Sequence, residues 1–301
     1  MKAKFILYIF IIGGFTACTK ELEQAPISTP GSINFYRNTS DFEQAVNGIY
    51  QNLHTYDYGI AQFDLSDVRS DNIYSSGPSG VRDWVPINNF AKTLATNPYI
   101  LALWNGNFTG ILKANTVLDK LDPALVPDDI TRDRMEGEAK FFRAFFYFDL
   151  VRFVGKVPIF DHVASPDEAL GIPRSPVADV YKLIIADLKS AISKLPPTYP
   201  VSNKGKVTLD AAKAMLALVY LTKSGPTYGI EGPGLGSNEF ALAGTLLDEI
   251  IAGNRYSLLA SYANVFSYTN ENNAEILFDI QSINTGTSAN TGLGTELPSA
   301  M

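Results

Sequence analysis

Phe42, Ala45, Val46, Ile49, Tyr50 and Leu53 recur at intervals of three and four, which predicts an amphipathic helix over residues 41–54. Ser40 and Glu43 stand at the spacing of a capping box at its start. Asn97-Pro98 supplies a cap and a first-turn proline for a second helix running to about residue 121, through Leu103, Trp104, Ile111, Leu118 and Leu121. Gly106 and Gly110 either weaken that helix or let another approach closely. A third helix, about 128–153, carries Phe141, Phe142, Phe145, Phe146, Phe148, Leu150 and Val151. These positions are apolar on most sides, so this helix is expected at the centre, ended by Gly155 and Pro158. Ser175-Pro176 begins a fourth helix, which Pro196-Pro197 stops after Leu195. Thr208 caps a fifth through Tyr220, and a sixth runs from about 238 to 252 with Gly253 beyond it. Residues 275–281 alternate enough to predict one strand. The pattern is therefore mainly α with minor β, and its last three helices could stack as antiparallel pairs in the manner of tetratricopeptide repeats, although no strict repeat is visible.

The ends of the chain differ from this body. Lys2 and Lys4 precede an apolar run from Phe5 to Ile12, and Phe15-Thr16-Ala17-Cys18 follows. That is the three-part layout of a secretory signal. The apolar run has about half the roughly 20 residues that a membrane-spanning helix needs, which disfavours the alternative of an uncut anchor. The four residues ending at Cys18 resemble a lipobox, with Phe15 where Leu is commoner. Residues 1–17 are then a lipoprotein signal peptide and Cys18 the lipidated new N-terminus, held by several acyl chains because one binds only marginally. Residues 18–39, with Pro26 and Pro30, read as an extended lipidated tether, and residues 282–301 as a Ser/Thr/Gly/Asn-rich polar loop.

Composition narrows the chemistry. Removing residues 1–17 takes away two lysines and no acid, so the formal charge moves from −7 to −9. Nucleic acid is an unsuitable partner for such a chain. With Cys18 lipidated there is no disulfide, and His54 and His162 are too far apart in sequence to read as a metal-ligand pair. No G-x-S-x-G or phosphate loop is present, and Gly232 to Gly236 lacks the strand context of one. Glu136 and Glu138 lie two apart on a helix and point to different faces, so they do not form the facing carboxyl pair of a glycosidase. The chain is expected to be no enzyme and to need no cofactor.

Several segments in order resemble the SusD/RagB family of nutrient-uptake outer-membrane lipoproteins of Bacteroidetes. They are Phe35-Tyr36 with Asp41-Phe42 and Ala45 to Tyr50; Trp104-Asn105, Ile111 and Ala114-Asn115; and, most specific, Gly137 to Ala144 with Tyr147, Leu150-Val151-Arg152 and Gly155 to Pro158. Arg174, Val180-Tyr181, Ile184, Asp187-Leu188, Ala211-Ala212, Leu216-Ala217, Val219 to Leu221 and Glu275 to Phe278 follow. Lys20, Glu21 and Glu23 after Cys18 look like the surface-export signal of such lipoproteins. The resemblance implies a helical fold built on tetratricopeptide-like pairs over residues 40–281. It also implies a lid, lipid-anchored to the cell outer membrane and facing the exterior, that captures a nutrient, usually a glycan or oligosaccharide. The lid hands its ligand to a SusC-like TonB-dependent transporter. Members of the family run on well beyond this length, so residues 1–301 are expected to be an N-terminal portion.

The loop-rich stretch between the first two helices, about 59–97, is the place to look for a sugar site. Sugars stack an apolar face on an aromatic ring while amides, acids and guanidinium groups bond their hydroxyls, and such groups sit on loops over a rigid scaffold. Trp84 is the candidate platform, with Arg82, Asn88 and Asn89 as polar partners and Asp71 and Tyr74 nearby. The alternative is that Trp84 packs beneath the loop. Trp104 is expected in the helical core, Tyr228 is a weaker ligand candidate, and Arg143 and Arg152 are expected in internal ion pairs. A surface scaffold that binds another protein is the competing function.

Overall fold

The computed structural model describes residues 35–54, 65–70, 72–73, 83–91, 96–200, 203–267 and 269–281. Residues 1–34, with the expected signal peptide and Cys18, and residues 282–301 lie outside the described residues, as do Asp71, Tyr74 and Arg82. Five long helices carry the architecture after a first one, α1 (Thr39–Asn52). A short α2 (Trp84–Asn88) precedes α3 (Pro98–Lys120) and α4 (Asp129–Val154). A short α5 (Pro166–Gly171) leads to α6 (Val177–Lys194), α7 (Leu209–Lys223) and α8 (Phe240–Ala252), with a single turn, α9 (Tyr262–Val265), beyond. The long helices pack as a row: α1 lies on α3 and α4, α3 on α4, α4 on α6, α6 on α7 and α7 on α8. Apart from α1 with α3 and α4 with α6, which the short α2 and α5 separate, and the contact of α1 with α4, these are neighbours in chain order, the arrangement of stacked helix pairs.

Local signals set most of these ends. The side chains of Asn97, Asp128 and Thr208 accept from the backbone N–H groups of Tyr99, Thr131 and Ala211, as caps should. Gly155 takes φ +78 at the end of α4, where a side chain would be strained. The first helix differs from expectation. Its cap is Asn38, whose side chain accepts from Asp41 N, and Ser40 lies inside the helix. Glu43 is drawn away from the expected reciprocal cap by Arg134 and by Lys206, whose Nζ lies 3.1 Å from its Oε2. A true capping box occurs instead at Ser165 and Glu168, opening α5. The expected strand at 275–281 is not formed. That segment runs without ladder bonds among the described residues, and its alternation serves to put Phe278 against Phe141 and Phe142, with ring centroids 5.8 and 6.3 Å apart.

The core centres on α4, in which 14 of 26 residues are buried, more than one stripe can supply. Gly110 of α3 makes the close approach possible: a Cβ there would stand 2.3 Å from the Phe146 ring. Trp104 packs half-buried on the same core, its ring 4.7 Å from Phe108.

Two buried polar networks lock the helices in register. In one, Glu138, fully buried, pairs with Arg134 and accepts from Tyr50 Oη at 2.8 Å. Tyr50 Oη accepts in turn from Val207 N at 2.9 Å. Burial pushes the Glu138 carboxyl above its ordinary range, against the pull of Lys206, Arg134 and Tyr50. In the other, Arg143 donates through Nε and Nη2 to the two carboxylate oxygens of Asp187 on α6, at 2.7 and 2.8 Å. Its Nη1 donates to Asn115 Oδ1 on α3 at 2.8 Å and to the Asp161 carbonyl at 2.7 Å. Asn115 closes the set by donating to the carbonyls of Phe160 and His162. Arg143 and Arg152 are thus in internal ion pairs, Arg152 with Asp149 at 3.0 Å.

The loop after α4 is fastened a second time at its surface. His162 Nδ1 lies 2.7 Å from Asp161 and its Nε2 lies 3.0 Å from Glu168 at the start of α5. These hydrogen bonds, first to Asp161 and then to Glu168, raise the imidazole pKa above its ordinary 6.5.

Arg143→Met leaves Asp187 buried without a partner and is expected to destabilise by about 3–5 kcal/mol in urea unfolding. Adding Asp187→Leu recovers most of that loss, whereas a double variant as unstable as the single one would show that the pair does not act as a unit. The raised His162 pKa means that its docking of α5 is complete below the unfolded-state value and is lost as pH rises through the folded-state value. An NMR titration is expected to place the His162 ring above 6.5, and Glu168→Gln to move it down. A ring titrating at or below the ordinary value would refute the fastening.

Candidate functional site

The helical row presents one loop system at the end where α3 begins and α4 finishes. Ile87 of α2 is buried with Leu65 and Leu103, and Tyr99, Ile100, Ala102, Phe153 and Val154 pack around them. This small second core seats α2 on the scaffold. Asn97 then does two jobs. Its Oδ1 caps α3 by accepting from Tyr99 N at 3.0 Å, and its Nδ2 donates to the Asp83 carbonyl at 2.7 Å, where α2 begins. The start of α2 is therefore tied to the start of α3.

Of the candidate residues, Trp84 is the first residue of α2 and is half-buried. Asn89 is exposed at the C-terminal end of α2. Asn88 is half-buried, and its Nδ2 donates to the carbonyls of Val68 and Ile73 at 2.7 and 2.8 Å. Both amide protons of Asn88 are taken up in holding the loop together. One feature was not legible in the hydrophobic pattern. Phe90 is 60% exposed, has φ +50, and carries the Arg69 guanidinium 5.9 Å above its ring. An outward aromatic ring with a cation over it, next to Asn89 and six residues after Trp84, extends the aromatic surface of this loop. The adjacent Asn89 and Phe90 in the sequence carried that signal. Tyr228, in the loop between α7 and α8, is 85% exposed with φ +48 and stands apart from this group.

Aromatic rings and amides are the residue types that stack on and hydrogen-bond carbohydrates. Other chemistries find less support among the described residues. Glu136 bonds Lys140 and Lys194, while Glu138 points the other way, to Arg134 and Tyr50, so the two carboxyls share no cleft. No group of three or more His, Cys, Asp or Glu that could hold a metal ion is found among the described residues. No described helix is long and apolar enough to cross a membrane.

Comparison with known proteins places this scaffold. A family model described as SusD-like, "Starch-binding associating with outer membrane", matches residues 28–221. SusD-like protein P2 of Formosa agariphila is 32% identical over 228 residues, covering 74% of this chain and 44% of that protein. Among solved structures, a SusD homolog from Bacteroides thetaiotaomicron superposes with a TM-score of 0.71 at 22% identity, over 86% of this chain and 49% of the other. Surface glycan-binding protein A from the same species, solved in complex with laminarihexaose, gives 0.65 at 24% identity, over 81% and 49%. At those identities the structures show a shared fold. The chain spans about half the length of the curated relatives it matches. The matched family model over residues 28–221, and the helical row it covers, establish that this chain belongs to the SusD-like family.

Proposed function

We propose that this chain is a non-catalytic surface lipoprotein that binds a glycan or oligosaccharide and delivers it to a SusC-like TonB-dependent outer-membrane transporter. The observation that carries the binding step is the loop over the second core, where half-buried Trp84 and exposed Phe90 sit beside Asn89 on a scaffold pinned by Asn97. Trp84 is the stacking platform, Asn89 and Arg82 bond hydroxyls, and Asp71 and Tyr74 complete the loop. Asn88 acts through the loop by holding its carbonyls. That a relative of the same fold holds laminarihexaose supports glucans as the ligand class. The lipid on Cys18 and the acidic residues after it anchor the lid on the outer face of the outer membrane, beside the transporter.

One observation favours a second reading, a protein-interaction scaffold. Phe240, Leu247 and Ile251 fall on one stripe of α8 and are 52%, 39% and 72% exposed. A stripe of that kind fits a protein surface better than a sugar.

Titration of the purified chain against a glycan array separates the two readings. Binding without release of reducing sugar is expected, and Trp84→Ala is expected to weaken it about tenfold or more, since an aromatic contact of about 1.4 kcal/mol corresponds to that factor. Unchanged affinity in Trp84→Ala would remove the platform. Co-purification with a β-barrel partner without binding of any glycan would favour the scaffold, and turnover of the sugar would overturn both.

A further inference from the structure

A concavity lies at the end of the α3–α4 hairpin opposite the Trp84 loop. It is an open cleft of about 380 Å³, within the range of small-molecule sites, with Leu118, Leu121 and Pro123 as its apolar wall. Its polar lining comes from Arg132, Glu136, Lys140 and Arg143 of α4 and from Asp161. The Trp84 loop rests on Phe153 and Val154 at the far end of α4. Lys140 is thirteen residues before Phe153, roughly 20 Å at 1.5 Å per helical residue. The cleft is therefore separate from that loop.

Its charged groups are held in place. Arg143 forms the floor, fixed by Asp187, Asn115 and the Asp161 carbonyl. Lys140 Nζ donates to Glu136 Oε1 at 2.7 Å and Ser190 Oγ at 3.0 Å, and the other Glu136 oxygen takes Lys194 at 3.1 Å. Arg132 donates to the Val126 carbonyl at 2.8 Å and pairs with Asp129. Each group nevertheless keeps capacity. An ammonium has three N–H donors and a guanidinium five, and each carboxylate oxygen accepts more than one bond. The cleft thus offers interleaved donors and acceptors that are already ordered, so a ligand does not have to order them.

The distribution of charge selects the ligand. Three cations and two carboxylates are mixed in the lining and nearly cancel, so a polyanion gains little net attraction and meets Glu136 and Asp161 at close range. A ring of hydroxyls, each able to donate and accept, matches this mixture of donors and acceptors, and the C–H face of a pyranose suits the Leu118, Leu121 and Pro123 wall. We propose that this cleft is a second ligand subsite that takes one or two neutral hexose units. The ligand class rests on the glycan reading given above, but the subsite does not depend on the Trp84 loop.

Hydrogen–deuterium exchange and calorimetry on the purified chain test it, with laminarihexaose and maltohexaose as neutral probes and an oligogalacturonate as the acidic one. A neutral hexaose is expected to protect peptides covering 116–124 and 156–164, in the wild type and in Trp84→Ala alike. Lys140→Met and, more conservatively, Glu136→Gln are each expected to weaken the Trp84→Ala protein's residual binding about tenfold, with unfolding curves confirming that both variants fold. Protection confined to 83–91, or affinity unmoved in both cleft variants, overturns the subsite and leaves the glycan reading standing. No protection in either region by any probe overturns both. Preference of the cleft for the oligogalacturonate overturns the neutral-ligand assignment.

Discussion

A guanidinium buried at the meeting point of three helices has to be bonded almost completely, and that requirement fixes the geometry around it. Arg143 is 6% exposed and gives two donors to Asp187 on α6, one to Asn115 on α3 and one to the backbone at Asp161. A sliding of α6 along α4 by one residue would leave two buried charges unpaired, a penalty far larger than the packing gained or lost by such a shift. Apolar contacts between Phe, Leu and Val side chains do not discriminate registers so sharply. The aromatic mass of α4 therefore supplies most of the driving force, and the Arg143 fork decides which packing is native. The Glu138 network does the same on the other side of α4, tying α1 and the segment around Val207 to it through Tyr50.

This division of labour explains what could be read from the sequence. Caps and apolar stripes are local, so Asn97, Asp128 and Thr208 mark their helix starts, and the all-round apolarity of α4 marks its burial. The partners of the buried ions are not local. Asp187 is 44 residues from Arg143, and Glu43 is 91 from Arg134, so spacing rules for helix faces cannot pair them. The same distance effect misled the reading of the first cap: Ser40 and Glu43 have the right separation, but Glu43 finds two cations from elsewhere in the fold. At 275–281 the alternation was real and its cause was different. Phe278 packs, partly buried, against Phe141 and Phe142, and alternation does not say whether a neighbouring strand exists.

The candidate site was legible in part, for a similar reason. Residue types that suit sugars were visible in the stretch from Asp71 to Asn89. Which of them face outward depends on the second core and on Asn97, neither of which announces itself in that stretch. Asn88 shows the limit: its type suits a sugar hydroxyl, yet its amide protons go to Val68 and Ile73. Phe90 shows the opposite limit. An apolar residue is read as core by default, and only its positive φ and its 60% exposure turn it outward beneath Arg69.

The α3–α4 hairpin then links the aromatic loop and the cleft by construction. Its one end, at Leu103 and Phe153, is closed by apolar packing and carries the aromatic loop. Its other end, beyond Leu118 and before Arg143, is closed by ion pairs and opens as a polar cleft. Packing at the first end can stay apolar because α2 covers it. At the second end the loop after α4 crosses over, bringing backbone carbonyls that need donors, and Asn115 and Arg143 provide them. The charges in the cleft are therefore first a consequence of how that loop is held. Any ligand bound there would be recognised by groups whose positions the fold has already paid to fix, and this makes the cleft rigid and its preference a matter of hydrogen-bond matching rather than of net charge.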